Sequence, residues 1–300
     1  MLQYNSENFK VVERNNVQVY SFLTSNDTNA DQKTINSFSD EWNQFDHFEE
    51  EELDLIGSEY FDIVDEKMID KHSIVLDVGC GTGRWSKFLA KKVQFIEAID
   101  PSDAVFNAKE FNKEIPNIRV TQAGVDSIPF ANESFDFVFS LGVLHHIPDT
   151  QLAMQQCVEK LKPGGYFLVY LYYKFDNKGF LFKSLFQMSA LLRRVISKLP
   201  FFWKKHICNF LAYTVYFPFA RFSLLLKKVF PKKKFYLAIP LSYYHDKSFF
   251  IMKNDSLDRF GTPLEPRFTK KEITAMMTKC GLKNIVFSDS TPYWHAIGQK

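Results

Sequence analysis

Three glycines at alternate positions, Gly79, Gly81 and Gly83, follow the apolar run Ile74-Val75-Leu76-Asp77-Val78 directly and precede Trp85–Lys92, a helix-compatible stretch. The run is hydrophobic on both alternating faces, so it reads as a buried parallel strand. A strand, a glycine turn and a helix start let a ligand touch bare main chain and unpaired N–H groups. Spacing then separates the ligands. A dinucleotide turn, G-x-G-x-x-G, needs a third glycine where this chain has Arg84, which disfavours a nicotinamide-dependent oxidoreductase, and the G-K-[ST] of a P-loop is absent. A second strand, Val93–Ile99, ends at Asp100, 21 residues after Gly79. A carboxylate there can accept hydrogen bonds from two ribose hydroxyls, or it can cap a turn before Pro101. His145, His146 and His245 are candidate general bases because imidazole titrates near neutrality. Each also reads as an ordinary hydrogen-bonded structural histidine.

The octet L-D-V-G-C-G-T-G, residues 76–83, resembles the first motif of class I S-adenosylmethionine (SAM)-dependent methyltransferases. That resemblance implies SAM as cofactor, held at Asp77, Gly79, Gly81, Gly83 and Asp100. Ala123–Phe130 is similar to the family's G-D-A-x-x-L-P-F segment, which holds the adenine. Aligned from the Pro-Phe end, Gly124 occupies the usual acidic position and Asp126 is displaced by two. Either Asp126 swings in to the adenine amino group or the backbone near Val125 does that work alone. The run S-x-G-V-L-H-H-I-P-D, residues 140–149, resembles the fourth motif of the ubiquinone/menaquinone-biosynthesis (type 11) methyltransferases. In that group residues near Leu141 line the cofactor and the His pair lies beside the substrate cavity. L-K-P-G-G at 161–165 is another hallmark, and F-S-x-E-W-x-x-F at 38–45 resembles a lead-in helix that helps roof the cofactor. The resemblance covers about residues 38–172.

Methyl transfer from a sulfonium is an in-line displacement, so the protein chiefly supplies positioning and water exclusion. A base matters only where the acceptor must lose a proton. The [DN]-P-P-[YF] of DNA amine methylation is replaced by Ser140-Leu141-Gly142-Val143, and no Pro-Cys pair exists for cytosine C5 chemistry. A small-molecule, sugar or lipid-like acceptor is expected. A catalytically silent SAM-binding or scaffold protein, or an RNA-directed enzyme, is the alternative.

These residues need an α/β scaffold: a doubly wound, Rossmann-like, seven-stranded and mostly parallel sheet with a helical cap inserted before the last helix and hairpin. The expected division is a loosely attached polar arm at 1–37, a SAM-binding core at 38–173, an aromatic, basic cap at 174–267 and a closing helix and hairpin at 268–300. A 46% hydrophobic and 24% charged composition is that of a globular protein. Four cysteines without a C-x-x-C pair suggest neither a zinc site nor a disulfide framework, and the N-terminus lacks a signal-peptide pattern. A cytoplasmic location is expected, with no metal.

The near-neutral total hides a strong asymmetry. Residues 1–70 carry 17 acids and 4 bases, whereas residues 171–234 carry 14 bases and only Asp176. Residues 171–260 hold 15 of the 32 phenylalanines, yet the longest uncharged run there, Ile207–Ala220, has 14 residues, short of a membrane span. Three roles fit: a hydrophobic cap over the active site, a surface lying on anionic lipid, or a nucleic-acid face. D-R-F-G-T-x-L-E at 258–265 resembles a segment of a bacterial methyltransferase subgroup, and Asp258, Arg259, Glu265 and Arg267 either face the cavity mouth or pair within the loop.

Overall fold

The computed structural model describes residues 1–24, 28–42, 50–176, 179–262, 264 and 266–300. The lead-in segment's Phe45 and the loop's Glu265 lie outside the described residues. The chain forms two compact units, Met1–Asn177 with Leu264–Lys300, and Lys178–Pro263.

The first unit is built on strands β1 (Lys10–Arg14), β2 (Val17–Ser21), β3 (Ile74–Val78), β4 (Phe95–Asp100), β5 (Ile118–Gln122), β6 (Phe135–Leu141), β7 (Leu161–Tyr170), β8 (Lys283–Phe287) and β9 (His295–Gln299). Their order is β1-β2-β5-β4-β3-β6-β7-β9-β8. From β5 to β7 every pairing is parallel, and β9 runs antiparallel to both β7 and β8. Its helices are α1 (Gln32–Trp42), α2 (Glu50–Tyr60), α3 (Arg84–Ala90), α4 (Ala104–Phe111) and α5 (Thr150–Glu159). The sheet is doubly wound and Rossmann-like. Every residue of β4 is buried, as are Val75–Val78 of β3, which explains why these strands read as unbroken apolar runs. The chain places β4 on one side of β3 and later returns to place β6 on the other. At such a reversal the loops beyond the strand ends diverge and leave a crevice.

Seven strands were expected, and the sheet has nine among the described residues. The additional pair is the N-terminal hairpin, turned by Asn15 and Asn16, both with positive φ, which suits the two-residue turn of a twisted hairpin. The first residues are therefore not a loose arm. β2 joins β5 in parallel at Ser21 and Gln122. Ahead of it, Leu2 N donates to Glu97 Oε1 at 3.1 Å, Arg119 Nη2 donates to Leu2 O at 2.6 Å, and Tyr4 OH meets Thr121 Oγ1 at 2.8 Å. The fully buried Glu97 carboxylate also accepts from Arg119 Nε and Nη2, each at 2.7 Å. At the opposite edge Asp62, just past α2, accepts from Ser288 Oγ at 2.6 Å and lies 2.7 Å from His295 Nε2, fixing the end of α2 against the last strands.

The second unit holds α6 (Phe180–Ile196), α7 (Phe201–Leu211), a π-helical turn at Ala212–Tyr216, α8 (Phe217–Val229) and α9 (Phe249–Gly261). Ser256 Oγ donates to Cys208 O at 2.9 Å, and Lys204 Nζ donates to Gly261 O at 3.0 Å, so α9 is the element on which α7 is seated. After this unit α10 (Lys270–Lys279) starts at a capping box of Thr269 and Glu272 and leads into the expected closing hairpin.

Removing Glu97 would leave the Arg119 guanidinium, 16% exposed, without its carboxylate. Chemical denaturation of Glu97→Ala is expected to show a loss of about 3–5 kcal/mol. A loss below about 1 kcal/mol would mean that the N-terminal strap does not hold the sheet edge.

Candidate functional site

β3 ends at Val78 and the chain turns through Gly79, Gly81 and Gly83, with φ of +78°, +53° and +75°. Gly79 N and Cys80 N both donate to Ile99 O, at 2.8 and 2.9 Å, which clamps the turn to the end of β4. A Cβ on Gly79 would lie 2.4 Å from Val143 Cγ1, and one on Gly83 would lie 2.4 Å from Asn112 Nδ2. Positive φ at all three glycines, with crowding at Gly79 and Gly83, thus excludes side chains at these positions.

Asp100, the last residue of β4, is buried. Its Oδ2 accepts from Gly81 N at 2.9 Å, and its Oδ1 accepts from Ser102 N at 2.8 Å and Ser102 Oγ at 2.5 Å. A carboxylate offers about four acceptor positions, so room is left for one further donor. A second becomes available if the Ser102 hydroxyl turns away. Burial raises the Asp100 carboxyl above its ordinary value. Asp77 is more deeply enclosed: its Oδ2 accepts from Ser86 Oγ at 2.7 Å, tying β3 to α3. Burial, reinforced by the Asp100 charge and opposed by Ser86 and Arg84, raises Asp77 to about 7. Two buried carboxylates beside a main-chain loop make an environment that a cationic ligand would relieve.

Of the remaining cofactor candidates, Val125 is buried in a short 3₁₀ turn after Gly124, and Leu141 is the buried end of β6, in register with Tyr170 of β7. Asp126 is engaged elsewhere. Its Oδ2 accepts from Asn29 N at 2.7 Å and its Oδ1 from Gln156 Nε2 at 3.0 Å, so it ties the N-terminal segment to α5.

The structure brings His145 and His146 together, with ring centroids 4.0 Å apart, just after Val143, the residue that crowds Gly79. His145 is fully buried, and neither ring nitrogen has a hydrogen-bond partner among the described residues. Burial, then His146 and Arg267, holds its imidazole well below the ordinary value, so it stays neutral. His146 Nδ1 lies 2.6 Å from Leu264 O, which requires a hydrogen on Nδ1 and leaves the Nε2 lone pair as the basic one in the neutral ring. His245 belongs to the second unit, where Ser242 O, Lys227 Nζ and Asp246 Oδ2 surround its ring at 2.8, 2.7 and 3.5 Å. The D-R-F-G-T segment is likewise divided. Asp258 meets Thr262 Oγ1 at 3.4 Å and Arg259 lies over the Phe186 ring in the second unit, whereas Arg267 lies 5.1 Å from the Tyr172 ring centroid in the first.

Sequence reasoning missed an aromatic row at the carboxyl ends of the strands. Trp85 touches Tyr60, Tyr60 touches Tyr170, Tyr170 touches Tyr172, and Tyr172 lies 3.9 Å from the His145 ring. Phe38 closes the row edge-on against His146 at 4.8 Å. The one available signal was the tyrosine cluster Tyr170-Leu171-Tyr172-Tyr173 at the end of β7.

Residues 76–169 match the family described as a methyltransferase domain. A ubiquinone biosynthesis O-methyltransferase of Coxiella burnetii is 28% identical over 149 residues, covering 48% of this chain and 63% of that protein. The chain thus spans less than two thirds of that relative's length. A tRNA U34 carboxymethyltransferase of Pseudoalteromonas atlantica is 40% identical over 97 residues, 30% of this chain and 29% of that one. Among solved structures, a chain of the Haloferax volcanii complex between the Trm112 methyltransferase activator and a methyltransferase aligns over 88% of this chain and 96% of its own. Its TM-score of 0.50 at 12% identity shows a shared fold.

Because the folded state keeps a proton on Asp77 up to about pH 7, while an unfolded carboxyl loses it near pH 4, unfolding releases a proton between those limits. The ligand-free protein is therefore expected to lose stability as pH rises from about 4 to 7, by up to about 4 kcal/mol, and to level off above. Asp77→Asn removes that slope while still accepting from Ser86. Melting curves at pH 5 and pH 8 check this: the variant's advantage should be larger at pH 8, and a pH-independent difference would contradict it.

Proposed function

We propose that this chain, whose residues 76–169 carry a methyltransferase domain, transfers the methyl group of SAM to a small-molecule, sugar or lipid-like acceptor. The observation that carries this reading is the glycine loop itself. Val143 and Asn112 exclude side chains at Gly79 and Gly83, and the Gly81 amide is bonded to the Asp100 carboxylate one strand over.

The residues present fit SAM. Asp100 keeps acceptor capacity for a ribose hydroxyl, the Gly79–Gly83 loop would present main-chain groups to the amino-acid portion, and Val125, just past β5, and Leu141, at the end of β6, supply apolar surface. The aromatic row from Trp85 to Tyr172 suits a cation, because ring faces attract positive charge. When bound, SAM supplies an electrophilic methyl group whose bonding electron pair stays on sulfur as the carbon–sulfur bond breaks. The chain's own contribution is positioning and the removal of a proton. His146, with hydrogen on Nδ1, offers Nε2 as the base. His145, neutral and buried with neither nitrogen hydrogen-bonded among the described residues, would orient the acceptor through a hydrogen bond. His245 has both nitrogens engaged within the second unit and is the weakest of the three candidates.

An RNA acceptor is the second reading. It draws on the similarity to a tRNA U34 carboxymethyltransferase and on the basic second unit, but that similarity stays within 97 residues.

Titration calorimetry with S-adenosylhomocysteine should show binding that Gly79→Val weakens at least 100-fold, with no heat from NAD. Binding of NAD in place of the adenosyl compound would overturn the assignment. With tritiated SAM and an extract of small metabolites and lipids, His146→Ala is expected to retain adenosylhomocysteine affinity and to lose about 10²–10⁴ in methyl transfer. Undiminished transfer by both His145→Ala and His146→Ala would retire the histidine pair.

A further inference from the structure

The helices of the second unit are amphipathic in the wrong sense for water. From α7 through the π turn into α8, Lys204, Cys208, Ala212, Tyr216 and Ala220 recur every fourth residue and are all buried. The buried face is thus made largely of small and polar side chains. The opposite face carries Phe202, Phe210, Tyr213 and Phe217, with Trp203 beside them; Phe210 is 66% exposed, Tyr213 68% and Trp203 58%. Phe202 rests on His206 at 4.4 Å, and Tyr213 and Phe217 are parallel to within 5°. On α6, Met188, Leu191, Leu192 and Val195, spaced as one helical stripe, are all more than half exposed. Isolated exposed apolar residues are ordinary, but periodic stripes on two helices are not.

Charge selects the occupant. Residues 178–263 carry 16 Lys and Arg against 3 Asp. The three acids are occupied within the unit: Asp246 lies near His245 and Lys247, Asp255 adds to the charge around Tyr216 and Tyr244, and Asp258 meets Thr262. Lys228, Lys232, Lys233 and Lys234, at and beyond the end of α8, are exposed, and none has a salt-bridge partner among the described residues. A second copy meeting this face would bring like charges together. Nucleic acid would use the lysines and the rings but has no use for the aliphatic stripe of α6. No described helix is long and apolar enough to cross a membrane.

We infer that the second unit docks on an anionic phospholipid surface. The outward rings of α7–α8 and the stripe of α6 enter the boundary between headgroups and acyl chains, while Lys228 and Lys232–Lys234 meet lipid phosphates. This docking does not depend on the methyl-transfer reading, and its test needs neither SAM nor an acceptor.

The full chain is incubated with vesicles of phosphatidylcholine alone or mixed with phosphatidylglycerol, then sedimented. It should bind the mixed vesicles at least tenfold more tightly, and Lys232→Glu/Lys233→Glu/Lys234→Glu should lower that affinity at least tenfold. Phe210→Ser/Tyr213→Ser should do the same, and because all these side chains are exposed, circular dichroism should show unchanged helix content. Trp203 reports insertion directly: its emission should shift blue with mixed vesicles, and Trp203→Phe should remove the shift while binding persists. Failure to sediment with mixed vesicles would overturn the inference. So would a Trp203 emission that does not move, lipid-free self-association that buries Trp203, or salt-sensitive binding of polyuridylate without vesicle binding.

Discussion

The hydrogen bond from Gly81 N to Asp100 Oδ2, 2.9 Å long and buried, is the contact on which the site depends. It forms only because the loop adopts positive φ at three glycines, and that conformation in turn leaves no room for side chains next to Val143 and Asn112. The β3–β4 pairing brings the two ends to one level, with Val78 opposite Ile99 and Asp100 one residue beyond. Any shift of register would separate the loop from the carboxylate. Asp77 pays the electrostatic cost of this arrangement, since it is enclosed beside a second buried acid.

Much of this was legible because it is local. The glycine spacing, the apolar runs of β3 and β4 and the acid at the end of β4 lie within one stretch of chain, and each has a direct backbone consequence. The closing helix was legible for the same reason, from the Thr269 cap at its start and the Gly281 stop at its end. Of the two added strands, the run at residues 17–22 was readable as a strand but its place in the sheet was not, because it is joined to Gln122, a residue far away in sequence. The aromatic row escaped for the same cause, its rings coming from α1, α2, α3, β7 and the segment just past it. Asp126 shows the reverse. Its displaced position in the motif left open whether Asp126 or the backbone near Val125 meets the adenine, and the fold engages both its oxygens with Asn29 and Gln156.

The second unit illustrates how composition can be read without its geometry. Interleaved basic and aromatic residues were plain, but which face each occupies was not. A π turn at Ala212–Tyr216 widens the helix and shifts its phase, so the four-residue spacing of the buried face is not that of a regular α-helix. Only the folded helix shows that the small residues are inside and the rings outside.

The central claim is that bare main chain at Gly79–Gly83, held to Asp100, receives an adenosyl group. Amide hydrogen exchange of the full chain with and without S-adenosylhomocysteine tests it most directly, because the site is made of backbone. Protection should appear at Gly79–Arg84, at Asp100–Ser102 and at Gly124–Ser127, with the second unit unchanged. Saturating ligand that leaves the exchange of Gly79–Arg84 unaltered would contradict the account.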